Sequence, residues 1–243
     1  MKKDFLLKVE KINSGYGSTN IVNDFSFSIN KGQILCVTGR NGMGKTTLMK
    51  TIMGLIELRS GSIFFKNDDI SKSNSSSRSI MGIGYVPQGR EIFSSLTVEQ
   101  NILMPAHTRK NLQFDLKKKL KNIYELFPIL EEKKNNDGSS LSGGQQQQLA
   151  IARALIFNPD IIILDEPSEG IQPSIVSFIG ETLKKLSNSF NTAFLVVEQN
   201  IAFISQLKSD CILVNKGSNI KTLTASQLSS VEKARELLSL ESH

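Results

Sequence analysis

The chain has 243 residues, 39% of them hydrophobic, which suits one large α/β domain, or a core with a smaller inserted subdomain, and excludes collagen-like, mucin-like and largely disordered classes. Lys and Arg exceed Asp and Glu by 29 to 23, and the resulting net charge of +6 suits a nucleotide, an anionic lipid or a nucleic acid without choosing among them. The absence of Trp and a 7% aromatic content argue against a binder that stacks bases. Cys36 and Cys211 lie far apart in apolar runs and read as buried thiols in a reducing compartment. The opening MKKDFLLKVEKI begins like a signal peptide, but Glu10 and Lys11 interrupt any apolar region and no cleavage site follows. No stretch approaches the roughly 18 apolar residues of a membrane span, so a cytoplasmic chain is expected unless another subunit holds it at a membrane.

Residues 5–12 and 21–29 alternate as half-exposed strands do, with Gly15, Tyr16, Gly17 and Ser18 as a turn between them. Residues 34–38 are a short apolar run ending at a glycine-rich loop. Residues 46–58 have helical spacing, with Leu48, Ile52 and Leu55 on one side. Ser60 and Gly61 mark a turn and 62–66 a strand. The polar, Ser-rich stretch 71–79 reads as a loop that can also open a short helix. From about 98 to 130 the texture changes: Leu112, Leu116, Leu120 and Ile123 fall at helical spacing with lysines on the other faces. The lysines of LKKKLK, 116–121, read as a solvated face rather than a lipid contact. Then come a loop (135–140), a helix (145–157), a buried strand ending in two acids (161–164), a helix (175–186), a strand (192–197) and a helix (201–207). A hairpin of 211–215 with 220–223 and a helix around 230–240 close the chain. Alternating strands and helices imply a parallel sheet covered on both faces. The expected division is a core with a β subdomain at about 1–87 and 158–230, a helical subdomain at about 88–157 and a C-terminal helix at about 230–243.

GRNGMGKT, residues 39–46, matches the P-loop pattern, with a strand before it and a helix after it as that pattern requires. Glycines let backbone N–H groups turn inward around phosphate oxygens, and the helix start adds its positive dipole end. Lys45 should reach the β- and γ-phosphates and the Thr46 hydroxyl should ligate Mg²⁺. Gly39, Asn41, Gly42, Gly44, Lys45, Thr46 and Thr47 are therefore the candidate ATP contacts. In IIILDEP, 161–167, a buried strand delivers Asp165 to the phosphate side of the sheet, where it can hold a water on Mg²⁺. The adjacent Glu166 can polarise an attacking water.

LSGGQ at 141–145, followed by QQQLAIARAL, sets one group apart from other P-loop proteins, and over nearly its whole length the chain resembles the ABC ATPases. The resemblance implies an ABC ATPase cassette: an α/β P-loop NTPase core with an inserted helical subdomain and an antiparallel N-terminal β subdomain. It implies that Ser142, Gly143, Gly144 and Gln145 present a helix start to ATP bound by a second ATPase subunit, so that hydrolysis needs two subunits face to face. Gln88, in YVPQGREIF, stands where the family contacts Mg²⁺ or the attacking water and joins the core to the helical subdomain. Tyr16 stands where the family stacks a ring on adenine, a packed turn tyrosine being the alternative, and Val22 is a weaker candidate for the same pocket. The implied partners are a second ATPase subunit (a paralogue, or a second copy), two membrane permease subunits and an extracytoplasmic substrate-binding protein, with no nucleic acid. The implied place is the inner face of the plasma membrane.

Two departures from the family pattern are informative. The family's histidine after the next strand is absent: the segment reads VVEQN, and Gln199 stands there as a γ-phosphate sensor that can donate but cannot act as acid or base. In PSEGIQP, 167–173, Gln172 replaces a usual aspartate. Together these resemble the branched-chain amino acid importer ATPases and their relatives. GIQPSI and the run of four glutamines, 145–148, look most like urea importer ATPases, so urea or short amides are the expected cargo and branched-chain amino acids the alternative. A soluble translation or repair factor would carry tandem cassettes or a long coiled coil, an exporter ATPase is often fused to membrane helices, and a small-molecule kinase has no use for LSGGQ.

Overall fold

The computed structural model describes residues 5–108 and 115–239. Strands β1 (Leu7–Tyr16) and β2 (Thr19–Ile29) open the chain, followed by β3 (Ile34–Thr38), α1 (Lys45–Ile52), β4 (Leu58–Phe65), β5 (Asp68–Asp69), α2 (Ser75–Met81) and β6 (Ile83–Val86). A helical stretch comes next: α3 (Val98–Leu103), a 3₁₀ segment (Met104–Thr108), α4 (Leu116–Leu126), α5 (Pro128–Glu132), a second 3₁₀ turn (Gly138–Ser140) and α6 (Gly143–Leu155). The chain then runs through β7 (Ile161–Asp165), α7 (Pro173–Phe190), β8 (Ala193–Val197), α8 (Ile201–Leu207), β9 (Asp210–Asn215), β10 (Ser218–Leu223) and α9 (Val231–Ser239).

Strands β10-β9-β3-β8-β7-β6 form one sheet in that order, parallel except for β10. Strands β2-β1-β4-β5 form a smaller antiparallel sheet. Every residue of β3, β7 and β8 is buried, because both faces of the large sheet are covered. Alternate residues serve opposite faces. Cys36, Ile162, Leu164, Phe194 and Val196 join one core with residues of α6, α7 and α8. Leu35, Val37, Ile161, Ile163, Leu195 and Val197 join the other, with Leu48, Met49 and Ile52 of α1 and the inward side of the small sheet. Helix α1 is thus held between the two sheets. Both cysteines are free and buried, as expected, and burial pushes the Cys36 thiol up to about 12.

Several boundaries differ from expectation. The helix expected over 46–58 stops at Ile52 because Gly54, at φ 71°, reverses the chain: Leu55 N–H reaches Lys50 O at 2.8 Å and Gly54 N–H reaches Thr51 O at 3.0 Å. The hairpin turn contracts to Gly17 and Ser18, since Gly15 and Tyr16 pair with Asn20 and Thr19. Helix α6 begins at Gly143, two residues before its expected start. Strand β6 has no counterpart among the expected elements, its four residues being too few to show a period, and it pairs with β7 along its whole length. Leu112 and Leu240, the ends of two expected helical stretches, lie outside the described residues.

The Ser-rich stretch opens helix α2, which Asn74 caps through the Ser77 N–H at 2.9 Å. The helix is anchored by Arg78, only 1% exposed, whose guanidinium donates to the carbonyls of Thr51, Ile52, Ile70, Ser71 and Ser73 at 2.6–3.2 Å. Two of those carbonyls lie in the last turn of α1, where a cation also complements the helix dipole. Arg78→Ala would remove the guanidinium donor from five carbonyls, of which Thr51 O and Ile70 O keep a backbone donor, and is expected to cost about 2–4 kcal/mol, measured as a lower urea midpoint. Arg78→Lys should recover little, because an ammonium with three donors cannot span the same fork. An unchanged midpoint in Arg78→Ala would show the anchor to be idle.

Candidate nucleotide site

The candidate residues gather at the carboxyl edge of the parallel strands. The loop after β3 turns into α1 through Gly44, which adopts φ 93° as the helix N-cap. A Cβ on Gly39 would lie 2.4 Å from the Val214 carbonyl oxygen, so only glycine lets this loop pass β9 so closely. Lys45 is 5% exposed and folds under the loop, donating to Gly39 O at 2.7 Å and Arg40 O at 2.9 Å. An ammonium has three donors, so one remains for a phosphate oxygen.

Glu166 follows β7 in a left-handed conformation, φ 50°, pinned by its N–H to Val197 O at 2.9 Å. Such backbone costs about 1–3 kcal/mol in a non-glycine residue and persists only where its surroundings enforce it. Its carboxylate is the hub of the site. One oxygen accepts from Gln88 Nε2 at 3.1 Å; the other accepts from Gln199 Nε2 and lies 4.0 Å from Lys45 Nζ. Gln199 Nε2 also donates to Asn41 Oδ1 at 2.6 Å, tying the loop after β8 to the P-loop. Gln88 Nε2 donates in turn to Glu169 Oε2 at 3.1 Å.

Asp165 is 2% exposed, and both its carboxylate oxygens are buried without a hydrogen-bond partner. Burial pushes its carboxyl up to about 6, against the pull of the neighbouring Thr46 hydroxyl and Lys45. An orphaned carboxylate beside a hydroxyl is a hard oxygen donor set that suits Mg²⁺. Burial pulls the Lys45 ammonium down, while Glu166, Asp165 and Glu198 draw it back up.

The structure thus brings Asn41, Lys45, Thr46, Gln88, Asp165, Glu166 and Gln199 into one region. Tyr16 sits at the tip of the first hairpin, 52% exposed, as a stacking ring must. Val22 is 1% exposed and packed in the core, so it is not a pocket wall. Ser142 caps α6 in a reciprocal box: its N–H donates to Gln145 Oε1 at 3.0 Å and its Oγ accepts from Gln145 N–H at 3.4 Å. Gln147 and Gln148 are buried, each 3% exposed, so at least three of the four glutamines serve the helix and its packing. Glu198, Glu169 and Arg90 also belong to this region, though no sequence motif singles them out. Arg90 donates to Glu169 O at 3.0 Å and approaches Gln146 Oε1 at 3.5 Å. An acid inside the apolar run LVVEQ was the available signal for Glu198, which is 3% exposed.

Residues 22–169 match the family model described as ABC transporter. The chain belongs to the ABC transporter family. It is 35% identical to the high-affinity branched-chain amino acid transport ATP-binding protein BraG of Pseudomonas aeruginosa, covering 95% of this chain and 98% of that protein. It is 32% identical to the probable branched-chain amino acid transport ATP-binding protein LivF of Archaeoglobus fulgidus, covering 96% and 98%. It is 33% identical to the lipopolysaccharide export system ATP-binding protein LptB of Haemophilus influenzae, covering 96% of each. Among solved structures, cbiO1 of Clostridium perfringens, part of the ABC transporter complex cbiONQ, superposes with a TM-score of 0.84 at 26% identity, covering 98% of this chain and 96% of that one. The fold is that of an ABC ATPase cassette, and the chain is an ATP-binding, ATP-hydrolysing transporter subunit.

The raised Asp165 carboxyl makes a prediction for this ABC ATPase without nucleotide. A carboxyl that holds its proton more tightly folded than unfolded contributes stability fully below about pH 4 and loses it as pH rises through about 6. Asp165→Asn carries no such charge. Relative to the parent, its unfolding free energy should rise by about 2–3 kcal/mol between pH 4 and pH 7, read from urea titrations across that range. A difference independent of pH would remove Asp165 as the titrating group.

Proposed function

We propose that this chain is the ATPase of an ABC importer of branched-chain amino acids. One observation carries the catalytic part: Asn41, Lys45, Gln88 and Gln199, from three separate loops, converge on Glu166 directly or through Gln199. In this reading the backbone of 39–46 and Lys45 hold the ATP phosphates, with Thr47 and the glycines closing the loop around them. Tyr16 stacks on adenine. Glu166 orients and deprotonates the attacking water, and Gln88 and Gln199 hold its carboxylate; both N–H groups of each amide are engaged, so contact with water and γ-phosphate replaces the Gln88–Glu169 and Gln199–Asn41 bonds. Thr46 and Asp165, with Gln88, would hold Mg²⁺, which when bound neutralises charge on the β- and γ-phosphates. The start of α6, with Ser142, Gly143, Gly144 and Gln145, faces ATP on a second ATPase subunit. The segment at about 88–157 acts as the helical subdomain, hinged through Gln88.

Importer membership implies two permease subunits and a substrate-binding protein, and a place on the inner membrane face. Among the described residues no helix is long and apolar enough to cross a membrane. Support for the cargo comes from BraG and LivF, both named for branched-chain amino acids and matched over nearly their whole lengths. The expected urea cargo takes second place. It rests on GIQPSI and the four glutamines, and three of those glutamines have structural work in α6.

Glu166→Gln should keep ATP binding and lower turnover by at least about 100-fold, whereas Lys45→Ala should weaken ATP binding itself. Turnover near the parent's in Glu166→Gln would remove the proposed base. Cells lacking this chain should lose uptake of labelled leucine and keep uptake of labelled urea. The reverse result would transfer the cargo to urea and leave the ATPase reading intact.

A further inference from the structure

Glu198 is a buried carboxylate with no salt bridge among the described residues, and it is placed where two loops of the site meet. It directly follows β8, its own N–H donating to Val37 O at 3.0 Å. One carboxylate oxygen accepts from Ser168 N–H at 2.9 Å, in the loop that follows Glu166. The other accepts from Gln199 N–H at 2.7 Å and Asn200 N–H at 2.9 Å. Burial raises the Glu198 carboxyl above its usual range and the hydrogen bonds from Ser168, Asn200 and Gln199 draw it back down, so its oxygens have a definite geometric task. Asn200 is also the N-cap of α8, its side chain accepting from Ala202 and Phe203, so the clamp reaches into that helix.

We propose that Glu198 is a positioning residue that locks the Ser168 loop to the Gln199 loop, so that Glu166 and Gln199 meet the reacting phosphate as one unit. One backbone bond, from Glu166 N–H to Val197 O, already ties the start of one loop to the end of β8, and the Ser168 N–H to Glu198 bond is the tie beyond that point. The two loops extend from neighbouring strands, and Glu166 and Gln199 touch only through a solvent-exposed side-chain bond. The buried carboxylate joins the same loops through their backbones, which side-chain rotation cannot undo. It sits between the glutamate proposed to activate water and the amide proposed to sense the γ-phosphate, 3% exposed and with its oxygens turned to backbone N–H groups. The proposal rests on those two roles. Amide exchange reads the coupling without hydrolysis, so its failure is distinct from failure of those roles.

The test is Glu198→Gln in the full chain. A glutamine has one oxygen and one NH₂ group. Its oxygen should keep the two donors of Gln199 and Asn200, which sets the NH₂ against the Ser168 N–H. Hydrogen exchange followed by mass spectrometry should show the Ser168 amide exchanging at least about tenfold faster than in the parent, with Gln199 and Asn200 little changed. Turnover should fall at least about tenfold while KM for ATP stays within about twofold, because the lock acts after binding. Unchanged exchange at Ser168, or turnover equal to the parent's, overturns the proposal. So does a fall in turnover matched by an equal rise in KM. Should Glu198→Gln not fold, Glu198→Asp serves: it keeps the charge and both acceptors but is one methylene too short to span both loops. Parental turnover and parental exchange at both loops in the aspartate variant would overturn the proposal equally.

Discussion

A parallel sheet buried on both faces is the constraint on which this molecule depends. Parallel strands send all their carboxyl ends to one edge, and covering both faces leaves that edge as the place where polar chemistry can collect. Strands β3, β7 and β8 are buried residue by residue and adjacent in the sheet, so the loops that follow them are set side by side with little freedom. The second, antiparallel sheet closes the core over α1 and fixes the helix whose first turn carries Lys45 and Thr46.

The charged groups at that edge divide according to how their desolvation is met. Glu198 is satisfied by three backbone N–H groups and Lys45 by two carbonyls. Both are structural anchors in the resting fold, although Lys45 retains a donor. Asp165 has no such backbone donors and burial lifts its carboxyl to about 6; burial raises Glu198 as well, but there against three backbone donors. An unpaired carboxylate of this sort is costly in the interior, and a cation bound beside it offsets that cost. Glu166 differs again, accessible and held by amides that are neutral at every pH near physiological.

The helical segment communicates with this edge through a short, conformationally unusual stretch. Gly89, Arg90 and Glu91 are successive left-handed residues, at φ 79°, 71° and 45°. They lie directly after Gln88, and Arg90 spans from the loop after Glu166 to helix α6. Arg153 of α6 donates back to the Arg90 carbonyl at 3.3 Å and stacks on Phe93. Side chains on separate elements are therefore joined at the point where a hinge between core and helices is expected, and Arg90 and Glu91 carry backbone strain there.

Much of this was legible in the sequence because it is local. Period and composition place β3, β7, β8 and α8 within a residue or two, since apolar runs of that length bounded by polar breaks have few other uses. The glycines and lysine at 39–46 announce a phosphate loop because only that residue order lets backbone amides converge. What tertiary structure alone decided is long-range. The strand before Gln88 is recognisable only by its pairing with β7. Helix α2 exists in a Ser-rich stretch because Arg78, 26 and 27 residues from two of its acceptors, finds the carbonyls at the end of α1. Val22 belongs to the core because the small sheet folds its side chain inward. Glu198 reads in sequence as one acid at a strand end; only the fold brings Ser168, 30 residues away, within 2.9 Å of it. The sequence by itself determined which chemistry is present, because motif residues act through their immediate neighbours. The structure decided which buried charges are tied down and which are left for a ligand, because that depends on backbone donors contributed from elsewhere in the chain.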